Sequence, residues 1–218
     1  RFKGITNSAF GTVNIGTSLL PNIIRNASLN SSYGTSYFRG IEHTANSIST
    51  TASISNNFIS NLTGASTNIS PVTLTGLGIG IFDALNVSVN QNTIYALSLS
   101  NTTTNGTNVC GIAISNFSPL NISNNIIYDL RNSSSSGFAS GIFIRSGTGV
   151  MNIFNNMITL GNSQTTNTSF IGIWGEHGTN SNVTTNIYYN SVYIMGSVTT
   201  GSRPSFGYLR GDFSGTPR

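Results

Sequence analysis

The sequence predicts an all-β solenoid, a parallel β-helix of about six coils. Three observations predict it. A two-part motif recurs along the chain, both parts are built from strand-forming residues, and no helical period is sustained anywhere.

The first part of the motif reads apolar residue, two mostly polar residues, Asn, any residue, then Ile or Val. It runs from Ile54 to Ile59, Val89 to Ile94, Ile122 to Ile127, Ile153 to Ile158 and Ile187 to Val192, with a weaker first copy from Leu19 to Ile24. The aligned asparagines are Asn22, Asn57, Asn92, Asn125, Asn156 and Asn190, at successive intervals of 35, 35, 33, 31 and 34 residues. The second part is Gly followed by an apolar run, at Gly40, Gly80, Gly111, Gly141, Gly172 and Gly207, trailing its asparagine by 16 to 23 residues. Each part is β-branched or aromatic and bracketed by Gly or Asn, which marks a short strand. Ala, Glu, Lys and Leu are too few to build helices.

A propeller blade needs about 40 to 45 residues and hairpin turns. The units here are shorter, and Asn-Gly or Asp-Gly hairpin signals are mostly missing. One unit per coil is the better fit, with equivalent strands about 4.8 Å apart and a rod roughly 30 Å long. Stacking gives the asparagine a reason to recur. It can take the left-handed conformation at a bend, and its amide can bond the same amide above and below. The glycines are expected to let the backbone bend or approach closely.

With the motif aligned, the chain resembles the right-handed parallel β-helix repeats of the pectin-lyase-like superfold, from about Leu19 to Asp212. Its Asn/Ser/Thr-rich character is similar to that of secreted bacterial surface proteins. The resemblance implies a right-handed coil and an extracellular or cell-surface location. It leaves activity open, because this fold carries lyases, hydrolases, adhesins, tailspikes and passive stalks.

The polar composition narrows the function classes. Charged residues are 6% of the chain, against about 25% in an ordinary domain. The surface must present hydroxyls and amides to water. The net charge of +4 reflects scarce acids, and the basic residues are scattered, so no nucleic-acid footprint is present. The single cysteine, Cys110, sits in an apolar strand and is expected to be buried and inert; no intrachain disulfide is possible. No apolar stretch is long enough to span a bilayer. The chain starts at Arg1 without Met, so a secreted form would have lost its signal or would be part of something larger. The sequence reads as one β-helix domain over residues 1–218, with irregular ends at 1–13 and 211–218.

Low-complexity stretches at Thr63–Ser70, Asn101–Asn108, Asn132–Gly137 and Asn162–Ser169 fall at one place in successive coils. They are expected to form a hydroxyl-rich fringe able to contact glycans or to serve as a solvated spacer. Most charges gather at the far corner of the Gly strand. Arg145, Trp174, Glu176, His177, Arg210 and Asp212 form the candidate surface site there, with Arg145 and Glu176 as stacked neighbours. Glu176 with Asp212 is the carboxylate pair a glycoside hydrolase would need, and an arginine with His177 the base and cation of a lyase. With five acids in the whole chain, a surface ion ladder is the preferred reading, and no catalytic residue, metal or cofactor is assigned.

The expected function is therefore an extracellular structural or adhesive solenoid, stacking end to end as a filament or forming part of a surface stalk with flanking domains. The alternative is a polysaccharide-binding or polysaccharide-degrading β-helix.

Overall fold

A computed structural model describes residues 1–9, 11–31, 36–44, 50–66, 74–101, 107–134, 136–176, 182–197, 201 and 203–211. In chain order the strands are β1 (Phe2–Asn7), β2 (Thr12–Ile15), β3 (Ile23–Ser31), β4 (Ser36–Thr44), β5 (Thr51–Ser55), β6 (Phe58–Ser66), β7 (Leu74–Asn90), β8 (Thr93–Asn101) and β9 (Asn108–Ser123). They continue with β10 (Ile126–Asn132), β11 (Phe138–Ile144), β12 (Gly149–Phe154), β13 (Met157–Leu160), β14 (Ser169–Gly175), β15 (Val183–Tyr188), β16 (Ser191–Ile194) and β17 (Phe206–Arg210). No helix occurs among the described residues.

Every strand pairing is parallel and joins one coil to the next. One face runs β1-β4-β7-β9-β11-β14-β17. A second is the six-stranded sheet β3-β6-β8-β10-β13-β16. The third joins β2, β5, β12 and β15 through the second halves of β7 and β9. These two long strands turn the corner between faces without a break, using left-handed residues at Asp83 (φ 62°), Asn86 (φ 49°) and Asn116 (φ 54°). Asp and Asn tolerate that conformation best among residues with a Cβ. The chain is thus a right-handed parallel β-helix. The first thirteen residues depart from the sequence expectation. They hold β1, paired in register with β4, and the start of β2, so strand structure begins at Phe2.

The interior is a set of apolar columns. Ile41, Ile79, Ile112, Ile142 and Ile173 stack on the first face, and Ile54, Val89, Ile122 and Ile153 on the third. On the second face Ile24, Ile59, Ile94, Ile127, Ile158 and Val192 form the facing column. Those in the middle coils are fully buried, which stabilises the coil by about 1.5–3 kcal/mol per side chain.

The glycine column opposite that facing column corrects the sequence alignment. Strand register places Gly4, Gly40, Gly78, Gly111, Gly141, Gly172 and Gly207 in line, so the third-coil member is Gly78 and not Gly80. A Cβ built on Gly78 would lie 2.6 Å from Ile94 Cγ2 and 2.6 Å from the Gly111 carbonyl oxygen. At Gly111 and Gly141 the facing isoleucine Cγ2 would also be 2.6 Å away. The two sheets meet here with no room for a methyl group. Gly80 instead pairs with Glu42 and Ala113 on the outer surface, where a Cβ would approach only the ends of Leu77 and Phe82, at 3.1 Å.

His43 is the one imidazole in the interior among the described residues. It lies fully buried in the column that continues as Ile81, Ile114 and Ile144. Neither ring nitrogen makes a well-formed hydrogen bond. Burial lowers its pKa, only partly offset by the Asn7 backbone.

This packing has two measurable consequences. Gly78→Ala should lower unfolding free energy by about 1–3 kcal/mol, whereas Gly80→Ala should stay within about 0.5 kcal/mol of the parent in urea titrations. Equal effects would contradict the register. The folded chain binds fewer protons at His43 than the unfolded chain, so stability should fall as pH drops below the ordinary imidazole value of 6.5. Equilibrium unfolding between pH 7 and pH 5 should show this loss, and His43→Leu should flatten it; an unchanged slope would mean that His43 is solvated.

Candidate functional site

The six aligned asparagines form one continuous ladder at the corner before the second face. Nδ2 of Asn22, Asn57, Asn92, Asn125 and Asn156 each donates to Oδ1 of the next, at 2.8, 2.9, 3.0, 2.9 and 2.9 Å. The same oxygens of Asn92, Asn125, Asn156 and Asn190 accept a second bond from the preceding asparagine's backbone N–H, at 3.0 to 3.1 Å. Each Nδ2 from Asn57 onward also reaches back to the preceding coil, for example Asn125 to the Val89 carbonyl at 2.9 Å. Asn92, Asn125 and Asn156 are fully buried, so every polar atom must be satisfied inside the protein, and it is. The left-handed conformation belongs to the residue before each rung from Asn57 onward, at Asn56, Gln91, Asn124, Asn155 and Tyr189 (φ 55° to 57°). The sequence reading assigned both tasks to one residue; the chain divides them between neighbours.

The charged corner is looser than the aligned offsets suggest. Arg145 Nε and Glu176 Oε2 are neighbours across two coils at 3.7 Å, with the arginine side chain 73% exposed. Arg210 pairs with Gly175 rather than Glu176. Trp174 is 3% exposed, so it is no open stacking platform. Its ring packs edge-on to Phe138 at 4.7 Å and tilted against Phe143 at 4.6 Å, and its Nε1 donates to the Gly211 carbonyl. His177 and Asp212 lie outside the described residues.

The described acids are dispersed, each with its own partner. Glu42 is held by Lys3 at 2.9 Å and Arg39 at 2.7 Å. Burial would raise its pKa, but those two cations outweigh it and hold the carboxyl below its ordinary value. Asp83 accepts from Asn116 Nδ2, and Asn116 Oδ1 accepts in turn from Ser146 Oγ at 2.7 Å. Asp129 pairs with Arg131 at 2.6 Å. No group of three metal-ligating side chains occurs among the described residues. The Cys110 thiol is buried, accepts a hydrogen bond from Ser140 Oγ, and burial pushes its pKa up to about 12.

The expected hydroxyl fringe is partly interior. Asn132 is fully buried: its Oδ1 accepts from Thr107 Oγ1 at 2.6 Å, and its carbonyl accepts from Gln164, Thr166 and Thr168. Thr168 and Ser169 are buried too. Here the low-complexity residues tie one coil to the next. The stretches 67–70, 102–106 and 135 lie outside the described residues.

The surface the sequence reading missed is the outer side of the second sheet. Three residues after the ladder asparagine, Tyr95 and Tyr128 stack with parallel rings 4.7 Å apart, and Phe58 meets Tyr95 edge-on at 5.3 Å. Tyr193 occupies the same column two coils further on, beyond Thr159, at 61% exposure, and Ile126 and Met157 are exposed in the neighbouring column. An open groove of about 580 Å³ adjoins this row, lined by Pro21, Ile23, Arg25, Phe58, Gln91 and Thr93 among others. Aromatic faces beside amide, hydroxyl and guanidinium groups suit a flat polyhydroxylated ligand. The signal was present in the chain, since Tyr95, Tyr128 and Tyr193 share one offset from Asn92, Asn125 and Asn190.

No protein-family model matches the chain, and comparison with curated proteins and with solved structures returns no match.

Asn125→Ala should strip partners from the buried Asn92 amide and the Val89 carbonyl. At about 1–3 kcal/mol per orphaned group, unfolding free energy should drop by at least about 3 kcal/mol. Glu176→Gln should change it by no more than about 0.5 kcal/mol. Chemical denaturation of both variants checks the contrast, and a larger effect at Glu176 would show that the charged corner carries the fold.

Proposed function

We propose that the chain is an extracellular or cell-surface structural or adhesive β-solenoid, serving as a segment of a stalk or filament, without catalytic activity. One observation carries this reading. The side chains that recur in register, the asparagines and the Asp83–Asn116–Ser146 row, close onto neighbouring coils. The chemistry of the repeat is thus directed at holding coils together. Among the described residues, the acids that a hydrolase or lyase would gather are separated, each beside its own donor. The 6% charge and the hydroxyl- and amide-rich surface, with the likeness of the repeat to pectin-lyase-like solenoids, support a location outside the cell. No helix among the described residues is long and apolar enough to cross a membrane.

A second reading, glycan binding, is favoured by the exposed aromatic row and its groove on the second sheet. It is compatible with an adhesive role and needs no reaction.

Incubation with neutral and anionic polysaccharides should release neither reducing ends nor unsaturated products. Turnover that disappears in Glu176→Gln would overturn the structural reading. In pull-downs with insoluble polysaccharides, any binding should fall at least about tenfold in Tyr128→Ala if the aromatic row is the contact, since loss of one stacking side chain of about 1.4 kcal/mol is a factor of ten.

A further inference from the structure

The outward column of the second sheet holds an aromatic stack with a gap in it. In strand register the column reads Arg25, Ser60, Tyr95, Tyr128, Thr159 and Tyr193. Ring contacts run from Phe58 to Tyr95 to Tyr128, and among the described residues none joins Tyr128 to Tyr193. The two small members of the column differ. Ser60 is 1% exposed, and Phe58, two residues before it, meets the Tyr95 ring edge-on at 5.3 Å. Thr159 is only partly buried, and Met157 and Tyr193 near it are 59% and 61% exposed. The place over Thr159 is therefore an open rung between two tyrosines that stand two coils, or about 9.6 Å, apart. It lies between the fourth and sixth strands of the sheet, so both of its walls belong to described strands. A ring placed there would sit about 4.8 Å from each tyrosine. Tyr95 and Tyr128 already stack at that spacing, 4.7 Å between centroids and 2° between planes.

We propose that this open rung is a binding slot for one uncharged pyranose ring, held between Tyr128 and Tyr193 over Thr159. The inference rests on the glycan-binding reading and names the ligand and its place. A pyranose has two C–H faces and a rim of hydroxyls. Its faces match the aromatic rings on either side. Its rim needs donors and acceptors, and these stand at the edge of the slot. The Thr159 hydroxyl lies at its floor. The left-handed column Asn26, Asn61, Ala96 and Asp129 ends on Asp129, directly after Tyr128. That carboxylate acts on the Tyr128 phenol, whose pKa is raised by burial, by Tyr95 and by Asp129. Arg131 Nε holds the carboxylate at 2.6 Å, with the arginine side chain 52% exposed. The two charges offset each other, which favours an uncharged sugar over a uronate. An aromatic side chain in the slot would use both tyrosine faces and leave the polar rim unused. Glycosidic bonds leave a pyranose from its rim, so a longer glycan would cross the rod rather than lie along its axis.

Filling the rung from the chain itself supplies the test. Thr159→Tyr places a ring in the gap at a partly exposed position, so it should keep the parent's unfolding midpoint and lose the ligand. Saturation-transfer NMR of the 218-residue chain would use the methyl glycosides of glucose, galactose, mannose and N-acetylglucosamine, with methyl glucuronide alongside. At least one neutral pyranoside should receive transfer, strongest at the C–H protons of both ring faces, and the glucuronide should receive less. Affinity should fall at least about tenfold in Tyr193→Ala, through loss of one stacking face. Tyr193 is 61% exposed, so that truncation should leave the fold intact. Thr159→Ser keeps both the space and the hydroxyl and should bind as the parent does. The slot is overturned if the parent binds no neutral pyranoside, if Thr159→Tyr still binds, or if the glucuronide binds as well as the neutral sugars. Preference for N-acetyltyrosine methyl ester over every sugar would also overturn it. Polysaccharide pull-down that persists in Thr159→Tyr but is lost in Phe58→Ala would remove the slot and leave the glycan-binding reading standing. A parent that retains no polysaccharide and binds no pyranoside would remove that reading itself.

Discussion

A buried amide that must donate to the coil on one side and accept from the coil on the other can be satisfied in one register only. Asn92, Asn125 and Asn156 are in that position, fully buried and with every hydrogen-bonding atom engaged. A slip of one residue would leave a donor and an acceptor dry in each coil and turn the isoleucine columns outward. The glycine column depends on the same register, because its members make room for the isoleucine or valine facing them in their own coil and for the carbonyl of the next glycine. Coil length can then vary between 31 and 35 residues along the ladder, because the differences fall in the segments between fixed points.

The fold was legible because its periodic chemistry is dense. An asparagine two residues before an inward-facing Ile or Val, repeated six times, fits stacked coils and little else. What escaped the sequence was direction, not spacing. Gly78 and Gly80 have the same apolar neighbours, and only the inward or outward aim of each position decides which belongs to the column. Gly4 was invisible because no asparagine rung precedes it. Trp174 read as exposed because it sits on the outer side of a strand, but Phe138 and Phe143 close over it, an arrangement set by residues about 31 and 36 positions away. Nothing in the sequence marks His43 as interior; its side chain lies in the column that later coils fill with isoleucine.

The faces of the rod differ in kind. The first carries a cationic cluster at its N-terminal end, with Arg39 and Lys3 against the Tyr37 ring at 4.3 and 5.7 Å, and becomes an aromatic and aliphatic surface further along. The second presents stacked tyrosines to solvent. The third displays an asparagine row. A scaffold that repeats inside while varying outside can hold one shape and offer several surfaces, which is the organisation expected of a structural or adhesive element.

All the interstrand hydrogen bonds lie along the rod axis, and this has a mechanical consequence. Force pulling the two ends apart would not shear the sheets as a whole. It would load the outermost rung first and peel coils away singly, each releasing one unit of the repeat before the next asparagine takes the load. Such a rod would yield in small, similar steps and would stretch without losing its remaining shape. In the other direction, compression or bending would be resisted by columns of close-packed isoleucine. The molecule would therefore be stiff as a strut and extensible as a tether.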